Sequence, residues 1–216
     1  MEEDGTATTA PTPARTRNRR GEGARLRDDI VAAAVELLEE TGDESAITLR
    51  SVARRVGIAA PSIYRHFPDQ PAIMLAVAQQ AFAELEGQLS AALDAGDDPR
   101  QRLFAVCHAY LTFAEDHPGR YRTMFGGLWM PDLSEGTLTD TDISSLGDAN
   151  LALLRGALGD CVAAGYATST DLVADSVALW LGLHGLAHQR SVTVAFPWPP
   201  DIAERIITTL AHLHAE

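Results

Sequence analysis

The feature that most constrains this chain is a pair of short helical patterns, separated by a glycine, within residues 48–67. Thr48 is a good helix N-cap, and the apolar residues that follow it have helical spacing: Leu49, Val52, Ala53 and Val56. Gly57 readily adopts the left-handed conformation that ends a helix. A second short helix is predicted over residues 60–66, because Pro61 is well tolerated in a first turn. The pattern predicts a helix-turn-helix, whose second helix fits the major groove of DNA.

The same residues carry a resemblance to a known family. The run ITLRSVARRVGIAAPSIYRHFPDQPAIM resembles the DNA-binding signature of the TetR family of bacterial transcriptional regulators, and the resemblance covers about residues 25–77. It includes the Thr-x-x-x-Val-Ala pair, Gly57 and the Tyr-x-His-Phe run. An ordinary buried helical hairpin is the alternative, but it leaves too little room to bury Tyr64 and His66. The resemblance implies a DNA-binding regulator with a sensor body.

The residues expected to contact DNA lie on and around the second helix. At its front, Ala60, Pro61 and Ser62 are predicted to face base edges. Contacts with the DNA backbone are implied by the resemblance for Thr48, Tyr64 and His66, and are predicted from its charge for Arg50. The chain departs from the family pattern twice: Gln70 stands where a Lys usually meets a phosphate, and Ala59 stands where a Ser cap is common. Both departures predict weaker anchoring to the DNA backbone.

Charge is distributed unevenly along the chain. All 17 basic residues are Arg, and ten of them lie in the first 70 positions against twelve acidic residues. The remainder has seven Arg against eighteen acidic residues, so the net charge of −13 resides mainly in the C-terminal two thirds. An acidic protein is a poor general binder of nucleic acid, but an Arg-rich end on an acidic body favours directed binding.

Residues 1–23 are predicted to be a disordered basic arm, since they are rich in Thr, Pro, Ala and Gly and have no apolar periodicity. The arm could reach the minor groove or phosphates, or be a solvated leader without a role. No apolar run approaches the ~18 residues of a membrane span, and the start lacks the features of a signal peptide. We therefore expect a cytoplasmic protein without a membrane partner. Cys107 and Cys161 are expected to be reduced core thiols.

The apolar periodicity predicts an all-α chain of two parts. Residues 24–70 form a three-helix DNA-binding domain, and residues 71–216 form a helical ligand-binding and dimerisation domain. Helices are predicted, with approximate bounds, over residues 25–41, 69–93, 98–117, 143–164, 168–190 and 201–214, with a further short helix from residue 118. Residues 130–142 have no periodicity and are predicted to be a mobile loop. By resemblance, the helix over residues 69–93 links the two parts.

The last two helices carry more apolar surface than one subunit can bury. Residues 168–190 have two apolar stripes, one of Val173, Val177, Trp180 and His184 and the other of Leu172, Leu179, Leu183 and Leu186. Residues 201–214 add a further stripe. Gly182 and Gly185 would allow another helix to approach closely. These features predict a homodimer with a four-helix interface, two helices from each subunit.

Aromatic and soft side chains suggest a cavity in the C-terminal part. Residues 178–188 resemble the Trp-x-x-x-His-Gly feature of one C-terminal subclass of TetR proteins, which implies a body that binds a small molecule. The candidate ligand-binding residues are Cys107, His108, Tyr110, Phe113, Met124, Phe125, Trp129, Trp180 and His184. Few of them are polar, so a largely apolar effector is expected. The alternative is that these residues form a solid core.

Enzyme and metal functions have weaker support. The chain has no nucleophile elbow, phosphate-binding glycine loop or dinucleotide fingerprint, and we expect neither catalysis nor a cofactor. His184 and His188 are four residues apart, as zinc ligands can be, but the glutamate of an HExxH motif is missing. The sequence predicts a DNA-binding regulator that acts as a repressor on a palindromic operator and is released by a small apolar effector. The alternatives are a ligand-independent DNA-binding dimer, a helical metal-binding protein, or an interaction protein that does not bind DNA.

Overall fold

The computed structural model describes residues 22–126, 141 and 145–214. Nearly all of these residues lie in α-helices or the short turns between them, which confirms the all-α prediction. The helices are α1 (Glu22–Thr41), α2 (Leu49–Val56), α3 (Ala60–Ile63), α4 (Gln70–Asp94), α5 (Pro99–Asp116), α6 (Pro118–Phe125), α7 (Asp148–Ala163), α8 (Leu172–Val192) and α9 (Ile202–Leu210). A 3₁₀ turn, Glu44–Ala46, connects α1 with α2. None of the described helices is long and apolar enough to cross a membrane.

Local chemistry fixes the ends of α2 as the sequence predicts. The Thr48 hydroxyl accepts a hydrogen bond from the Ser51 amide at 3.1 Å, and the Ser51 hydroxyl accepts one from the Thr48 amide at 2.9 Å. This reciprocal capping box satisfies two amides that the first turn leaves without helical partners. Gly57 ends the helix with φ of 74°. Ala59 provides no side-chain cap for α3.

The second helix of the motif is shorter than predicted. α3 ends at Ile63, and residues 64–66 form a turn in which the amides of His66 and Phe67 both bond to the Ile63 carbonyl at 2.9 Å. The predicted extension to His66 is therefore wrong. Phe67 precedes Pro68, and the ring of a proline disfavours helical backbone at the residue before it.

Two hydrophobic cores meet on α4. Its first turns bury Ile73–Ala78 against α1, α2 and α3, and these elements together are called the head. Farther along, Ala81, Leu85 and Leu89 are buried in a second core with helices α5–α9, which together with the rest of α4 are called the body. Asp69 caps α4 as predicted, accepting a hydrogen bond from the Ala72 amide at 2.9 Å. One continuous helix therefore belongs to both cores.

The C-terminal helices have different ends from those predicted. α8 begins at Leu172 rather than near residue 168, and α9 ends at Leu210 rather than near residue 214. The freed segments pair with each other: the Thr168 amide bonds to the His212 carbonyl at 3.0 Å, within an antiparallel bridge between Ala167 and Leu213. α7 begins at Asp148, after Gly147 with φ of 83°. The predicted start of α7 and most of the predicted loop over residues 130–142 lie outside the described residues.

Both predicted stripes of α8 are largely used inside the subunit. Leu179, Leu183 and Leu186 are buried in the body core, and Trp180 packs against that core. A Cβ built on Gly182 would lie 2.5 Å from a methyl carbon of Leu210, so this glycine does allow α9 to approach closely. A Cβ on Gly185 would have no atom of the described residues within 4 Å. The apolar surface of α8 that stays exposed in the subunit includes Val173 of the first predicted stripe, together with Leu181 and Val192.

Candidate DNA-binding surface and effector cavity

On the outer face of α3 and the turn that follows it, some side chains are exposed and others are half-buried. Pro61, Tyr64 and Arg65 are exposed, whereas Ala60 and Ser62 are half-buried. Ile63 and Phe67, on the inner side, are buried in the head core. Tyr64 is 58% exposed, which is unusual for a large aromatic side chain and leaves its hydroxyl available to a partner. The inner side therefore holds the motif in place while the outer side remains accessible.

The arginines of α2 differ in their availability. Arg50 and Arg54 are exposed and four residues apart, so they share one face of the helix. Arg55 instead bonds to Glu36 at 3.2 Å and to Glu40, which ties α2 to α1. The hydrogen bond from Arg55 lowers the pKa of the Glu40 carboxyl. Arg54 and Arg65 were not among the residues predicted to contact DNA, although their positive charge within the motif favours contact with phosphates.

Three other predicted DNA-contacting residues differ in setting. Thr48 is exposed at the start of α2, with its hydroxyl in the capping box. His66 is half-buried in the turn after α3. Gln70 is also half-buried, and its amide Nε2 donates to the Glu44 carbonyl at 3.2 Å. Its amide group therefore holds the start of α4 against the 3₁₀ turn.

A cavity of about 120 Å³ lies in the body beside α4. Its walls come from α4, α5, α6, the start of α7 and α8: Phe82, Leu85, Leu89, Val106, Tyr110, Phe125, Leu146, Gly147, Asp148, Asn150, Leu151, Leu154, Trp180 and Leu183. Most of these side chains are apolar or aromatic. A mostly apolar cavity with few polar groups is typical of small-molecule sites.

Only some of the predicted ligand-binding residues lie at this cavity. Tyr110, Phe125 and Trp180 form part of its wall. His184 stacks on Trp180, with ring centroids 5.6 Å apart. The remaining described candidates lie elsewhere: Cys107, Phe113 and Met124 are buried in the body core, and His108 is half-exposed, 3.4 Å from Glu204. Burial raises the pKa of the Cys107 thiol. Trp129 lies outside the described residues.

The candidate ligand-binding residues did not include the part of the wall that α4 and α7 contribute, such as Phe82, Leu85 and Leu154. Their helical spacing was visible, but it is the same spacing that a filled core requires. The polar Asn150, near the start of a predicted apolar helix, was a usable signal that was not followed.

Three polar side chains form a cluster that reaches the cavity through Tyr110. The Tyr121 hydroxyl lies 2.7 Å from Nδ1 of His184, and the Tyr110 hydroxyl lies 3.1 Å from that of Tyr121. Burial lowers the pKa of His184, so its imidazole is neutral near pH 7 and Nδ1 can accept. Burial raises the pKa of Tyr121 to about 12, which keeps its hydroxyl protonated as a donor.

Helix α6 connects this cluster to the head. Tyr121 bonds to His184, and Phe125 lines the cavity. From the same helix, Arg120 donates to Glu39 of α1 at 2.9 Å and pairs with Glu84 of α4. Arg122 also donates to the Gly42 carbonyl at 3.0 Å, and Thr123 donates to the Glu44 carboxylate at 3.3 Å. A displacement of α6 in the body would therefore act on the C-terminal end of α1 and on the 3₁₀ turn.

The geometry gives no support to the metal-binding alternative. His184 directs Nδ1 at two tyrosine hydroxyls, and His188 is exposed on the following turn. Among residues 22–126, 141 and 145–214, no three His, Cys, Asp or Glu side chains are grouped so that they could hold a metal ion.

Comparisons with known proteins agree with both parts of the fold. Residues 30–77 match the family model for bacterial regulatory proteins of the tetR family, and residues 103–213 match the model for the tetracyclin repressor-like C-terminal domain. The nucleoid occlusion factors SlmA of Vibrio campbellii and Photobacterium profundum are each 31% identical over 100 residues, which is 46% of this chain and 51% of theirs. The chain thus spans about half the length of these curated relatives.

Solved structures resemble the whole fold. A Rhodococcus sp. RHA1 protein of unknown function has 24% identity and a TM-score of 0.69, with coverage of 86% of this chain and 91% of that one. FadR from Bacillus subtilis, solved in complex with stearoyl-CoA, has 13% identity and a TM-score of 0.66, with coverage of 87% and 99%. Because its C-terminal family match spans more than half of its length and a second match covers the helix-turn-helix, this chain belongs to the TetR family of bacterial regulatory proteins.

Proposed function

We propose that the protein is a homodimeric repressor that leaves its operator when a small, largely apolar molecule enters the body cavity. The observation that carries this proposal is the position of α6, which contacts the cavity through Phe125 and the head through Arg120. A ligand that displaces Phe125 must therefore also strain the contact between Arg120 and the head. The structural basis for regulation is therefore α6, which contacts the cavity on one face and the head on another.

Helix α4 provides a second connection. Phe82, Leu85 and Leu89 line the cavity, whereas Ile73 and Val77 of the same helix belong to the head core. Its 25 residues correspond to a rod of roughly 37 Å. A small tilt at the cavity therefore changes the position of the head at the far end. Operators are read by two heads whose separation must match half-sites ~34–36 Å apart, or a multiple of that distance.

The energetic requirement on the ligand is modest. A ligand that binds the released conformation better by ~1–3 kcal/mol lowers DNA affinity by roughly 5–150-fold. Closing around an apolar molecule provides free energy of this order, because each fully buried methylene contributes about 0.8 kcal/mol.

The proposed dimer face is on α8. Leu181 is 54% exposed and Val192 is 59% exposed, and Gly185 lies between them without a neighbour in the subunit. Positions 181, 185, 188 and 192 are spaced by four, three and four residues, which places them along one side of the helix. We infer that this side packs against its copy in a second subunit, with α9 beside it.

For the DNA contacts, we propose that Ala60, Pro61 and Ser62 face base edges. Backbone contacts are assigned to Thr48, Arg50, Tyr64 and His66, with Arg54 and Arg65 as further cations on the same side of the motif. Gln70 has a positioning role, since its amide is bound to the Glu44 carbonyl.

The test combines DNA selection with ligand titration. Duplexes selected from random DNA by the full chain should contain a two-fold symmetric site. Apolar probes of one-ring size should then release the labelled duplex, followed by anisotropy, in parallel with a change in Trp fluorescence. Trp180→Ala should alter the probe concentration needed for release. Trp198→Ala is the matched control, because Trp198 packs against the body core without lining the cavity.

Two outcomes would contradict the proposal. If Trp180→Ala lowers thermal stability but leaves probe-induced release unchanged, the cavity is not the effector site. If no apolar probe changes DNA affinity at all, the ligand-independent DNA-binding dimer is the better account of this protein.

A further inference from the structure

A groove of about 500 Å³ lies between α6 and the C-terminal half of α8. It is distinct from the apolar cavity, although Phe125 belongs to both walls. Its polar side chains are those of Tyr121, Arg122, His184, His188, Gln189 and Ser191. None of the described residues that line the groove is an Asp or a Glu. In a chain with a net charge of −13, a groove whose described lining has an Arg and two His but no acid favours an anionic ligand.

Arg122 keeps hydrogen-bond donors available at the groove. This residue is exposed, and its Nη2 donates to the Gly42 carbonyl at 3.0 Å. Its Nε and Nη1 have no hydrogen-bond partner within residues 22–126, 141 and 145–214. Its positive charge acts on the Glu44 carboxyl, but the two side chains form no ion pair and Glu44 does not line the groove. Because a guanidinium carries five N–H donors, Arg122 can bond to Gly42 and to a carboxylate together.

His184 supplies a second donor. Burial lowers its pKa, so the imidazole is neutral near pH 7, and Nδ1 accepts from the Tyr121 hydroxyl at 2.7 Å. A neutral imidazole with an accepting Nδ1 carries its proton on Nε2. Nε2 has no hydrogen-bond partner in the described part of the chain. It is also not among the buried unpartnered atoms there, which belong to Glu44, Asn150 and Trp198, so it retains accessible surface. A ligand in the groove can therefore reach this N–H group.

The rest of the groove is apolar and larger than the cavity. Ala114, Pro118, Phe125, Ala187 and Val192 contribute to its lining. Apolar walls with a few donors suit a molecule that is apolar at one end and polar at the other. A cavity of ~150 Å³ holds one benzene ring, so the groove of about 500 Å³ has room for two fused rings and the cavity of about 120 Å³ does not.

We propose that the groove binds a small organic acid, whose carboxylate accepts hydrogen bonds from Nε2 of His184 and from Arg122 while its apolar part lies against α6. The two donors belong to neighbouring parts of the groove, because Arg122 directly follows Tyr121, whose hydroxyl bonds to His184. The inference goes beyond the proposed function, since it assigns a second site to a ligand of different charge. Arg122 also bonds to Gly42 at the end of α1, so an acid bound here acts on a contact between the body and the head.

The experiment measures binding to the full chain by calorimetry with three probes: 2-naphthoate, its neutral counterpart 2-naphthamide, and toluene. The acid should bind roughly tenfold or more tightly than the amide, because hydrogen bonds from an Arg to a carboxylate are stronger than those to a neutral carbonyl. Toluene probes the apolar cavity, which is too small for two fused rings. Saturation with toluene should therefore leave the Kd of 2-naphthoate within about twofold, since the two sites are distinct.

Variants of Arg122 locate the carboxylate. Arg122→Met should weaken 2-naphthoate binding roughly tenfold, and Arg122→Lys, which keeps the charge, should weaken it less. Arg190→Met is the matched control, because it removes the same charge from α8 beside the groove. Arg190 bonds to Glu115 at 3.1 Å and does not line the groove, so its loss should leave the Kd within about twofold.

Variants of His184 test the second donor. His184→Phe should weaken 2-naphthoate binding roughly tenfold, whereas His184→Gln, which keeps an N–H group, should weaken it less. Sedimentation equilibrium accompanies each variant, since Val192 in the groove also lies on the proposed dimer face. The comparison of the acid with the amide on the unmodified protein does not depend on whether any variant folds.

The outcomes separate this inference from the proposed function. Equal affinities for 2-naphthoate and 2-naphthamide, or no binding of the acid, would overturn the anion site and leave the apolar cavity as the effector site. Displacement of 2-naphthoate by toluene would place the acid in the apolar cavity and also overturn the inference. Equal losses in Arg122→Met and Arg190→Met would overturn the role of Arg122. Binding of the acid without binding of toluene would support the groove and contradict the apolar effector.

Discussion

The Tyr121 hydroxyl on α6 lies 2.7 Å from Nδ1 of His184 on α8, and the preceding residue, Arg120, bonds to the head. Arg120 donates to Glu39 of α1 and pairs with Glu84 of α4. Consecutive side chains on a helix point about 100° apart, so Tyr121 can contact His184 while Arg120 contacts the head. This adjacency gives α6 direct contacts with both His184 and the head.

Arg120→Ala tests that connection. We expect the free energy of unfolding to fall by about 1–2 kcal/mol, because two carboxylates lose a largely shielded partner. Ligand-driven release from DNA should also weaken, since α6 would no longer be bonded to α1 and α4 through this side chain. Urea denaturation and anisotropy measure the two effects. Arg205→Ala is the control, because its pair with Asp201 is exposed and within one helix, and its loss should cost no more than ~0.5 kcal/mol. Equal losses in the two variants would contradict the bridging role of Arg120.

Arg50→Ala tests the phosphate contact. If Arg50 neutralises one phosphate, its removal should lower the slope of log affinity against log salt by about 0.9 for each head. Fluorescence anisotropy on a selected duplex at several salt concentrations measures this slope. Arg55→Ala is the matched control, since Arg55 is engaged by Glu36 and Glu40. It should reduce thermal stability and leave the slope unchanged. An unchanged slope for Arg50→Ala would exclude it as a phosphate contact.

Gly182→Ala tests the close approach of α8 and α9. The new Cβ would lie 2.5 Å from a methyl carbon of Leu210 and 2.9 Å from one of Ile206, so these side chains or the helix that carries them must shift. Overpacking of this kind costs typically 1–3 kcal/mol, partly offset by the higher helix propensity of Ala. Thermal denaturation should therefore show a loss. Gly156→Ala in α7 has no atom within 4 Å of its Cβ and should be neutral or stabilising by up to ~1 kcal/mol. The same response in both variants would mean that the two helices are not tightly packed.

Leu181→Arg tests the proposed dimer face. Leu181 is 54% exposed in the subunit, so a charge there should leave the fold intact and separate the subunits. Sedimentation equilibrium should show a dimer for the unmodified protein at micromolar concentration and a monomer for the variant, with similar circular dichroism. Ala152→Arg, which places the same charge on exposed α7, should remain dimeric. A stable monomer of the unmodified protein would contradict the dimer proposal.

The pH dependence of stability tests the burial of His184. Burial lowers its pKa in the folded state below 6.5, so the unfolded chain binds more protons as the pH falls. Stability should therefore be unaffected well above pH 6.5 and should decrease as the pH falls through that value. Urea denaturation at pH 7.5 and 5.5 should show a larger loss for the unmodified protein than for His184→Gln. His214→Gln, at an exposed position, should behave like the unmodified protein. Identical losses with His184→Gln would show that His184 does not contribute.

Much of the head could be predicted from the sequence. The Thr48 cap, the left-handed Gly57, the buried Ile63 and the Asp69 cap are all as expected. These features depend on contacts within a few residues, so residue type and spacing are sufficient to predict them.

The cavity could be predicted only in part. Tyr110, Phe125 and Trp180 were recognised from their chemistry, but Asn150 was not, because its partner Phe82 is 68 residues away in sequence. Apolar periodicity shows which side of a helix is buried, and it does not show whether the space on that side is filled. For the same reason, periodicity predicted surplus apolar surface on α8 without showing which residues stay exposed in the subunit; Val173 and Leu181 do.

The sequence by itself determined the helices, their caps, the helix-turn-helix and the concentration of acidic charge in the body, because each depends on local backbone preferences or on composition. Only the tertiary structure decided where the cavity of about 120 Å³ lies and that α6 contacts both the cavity and the head. These features arise where several helices meet, and the packing of helices depends on side chains far apart in sequence.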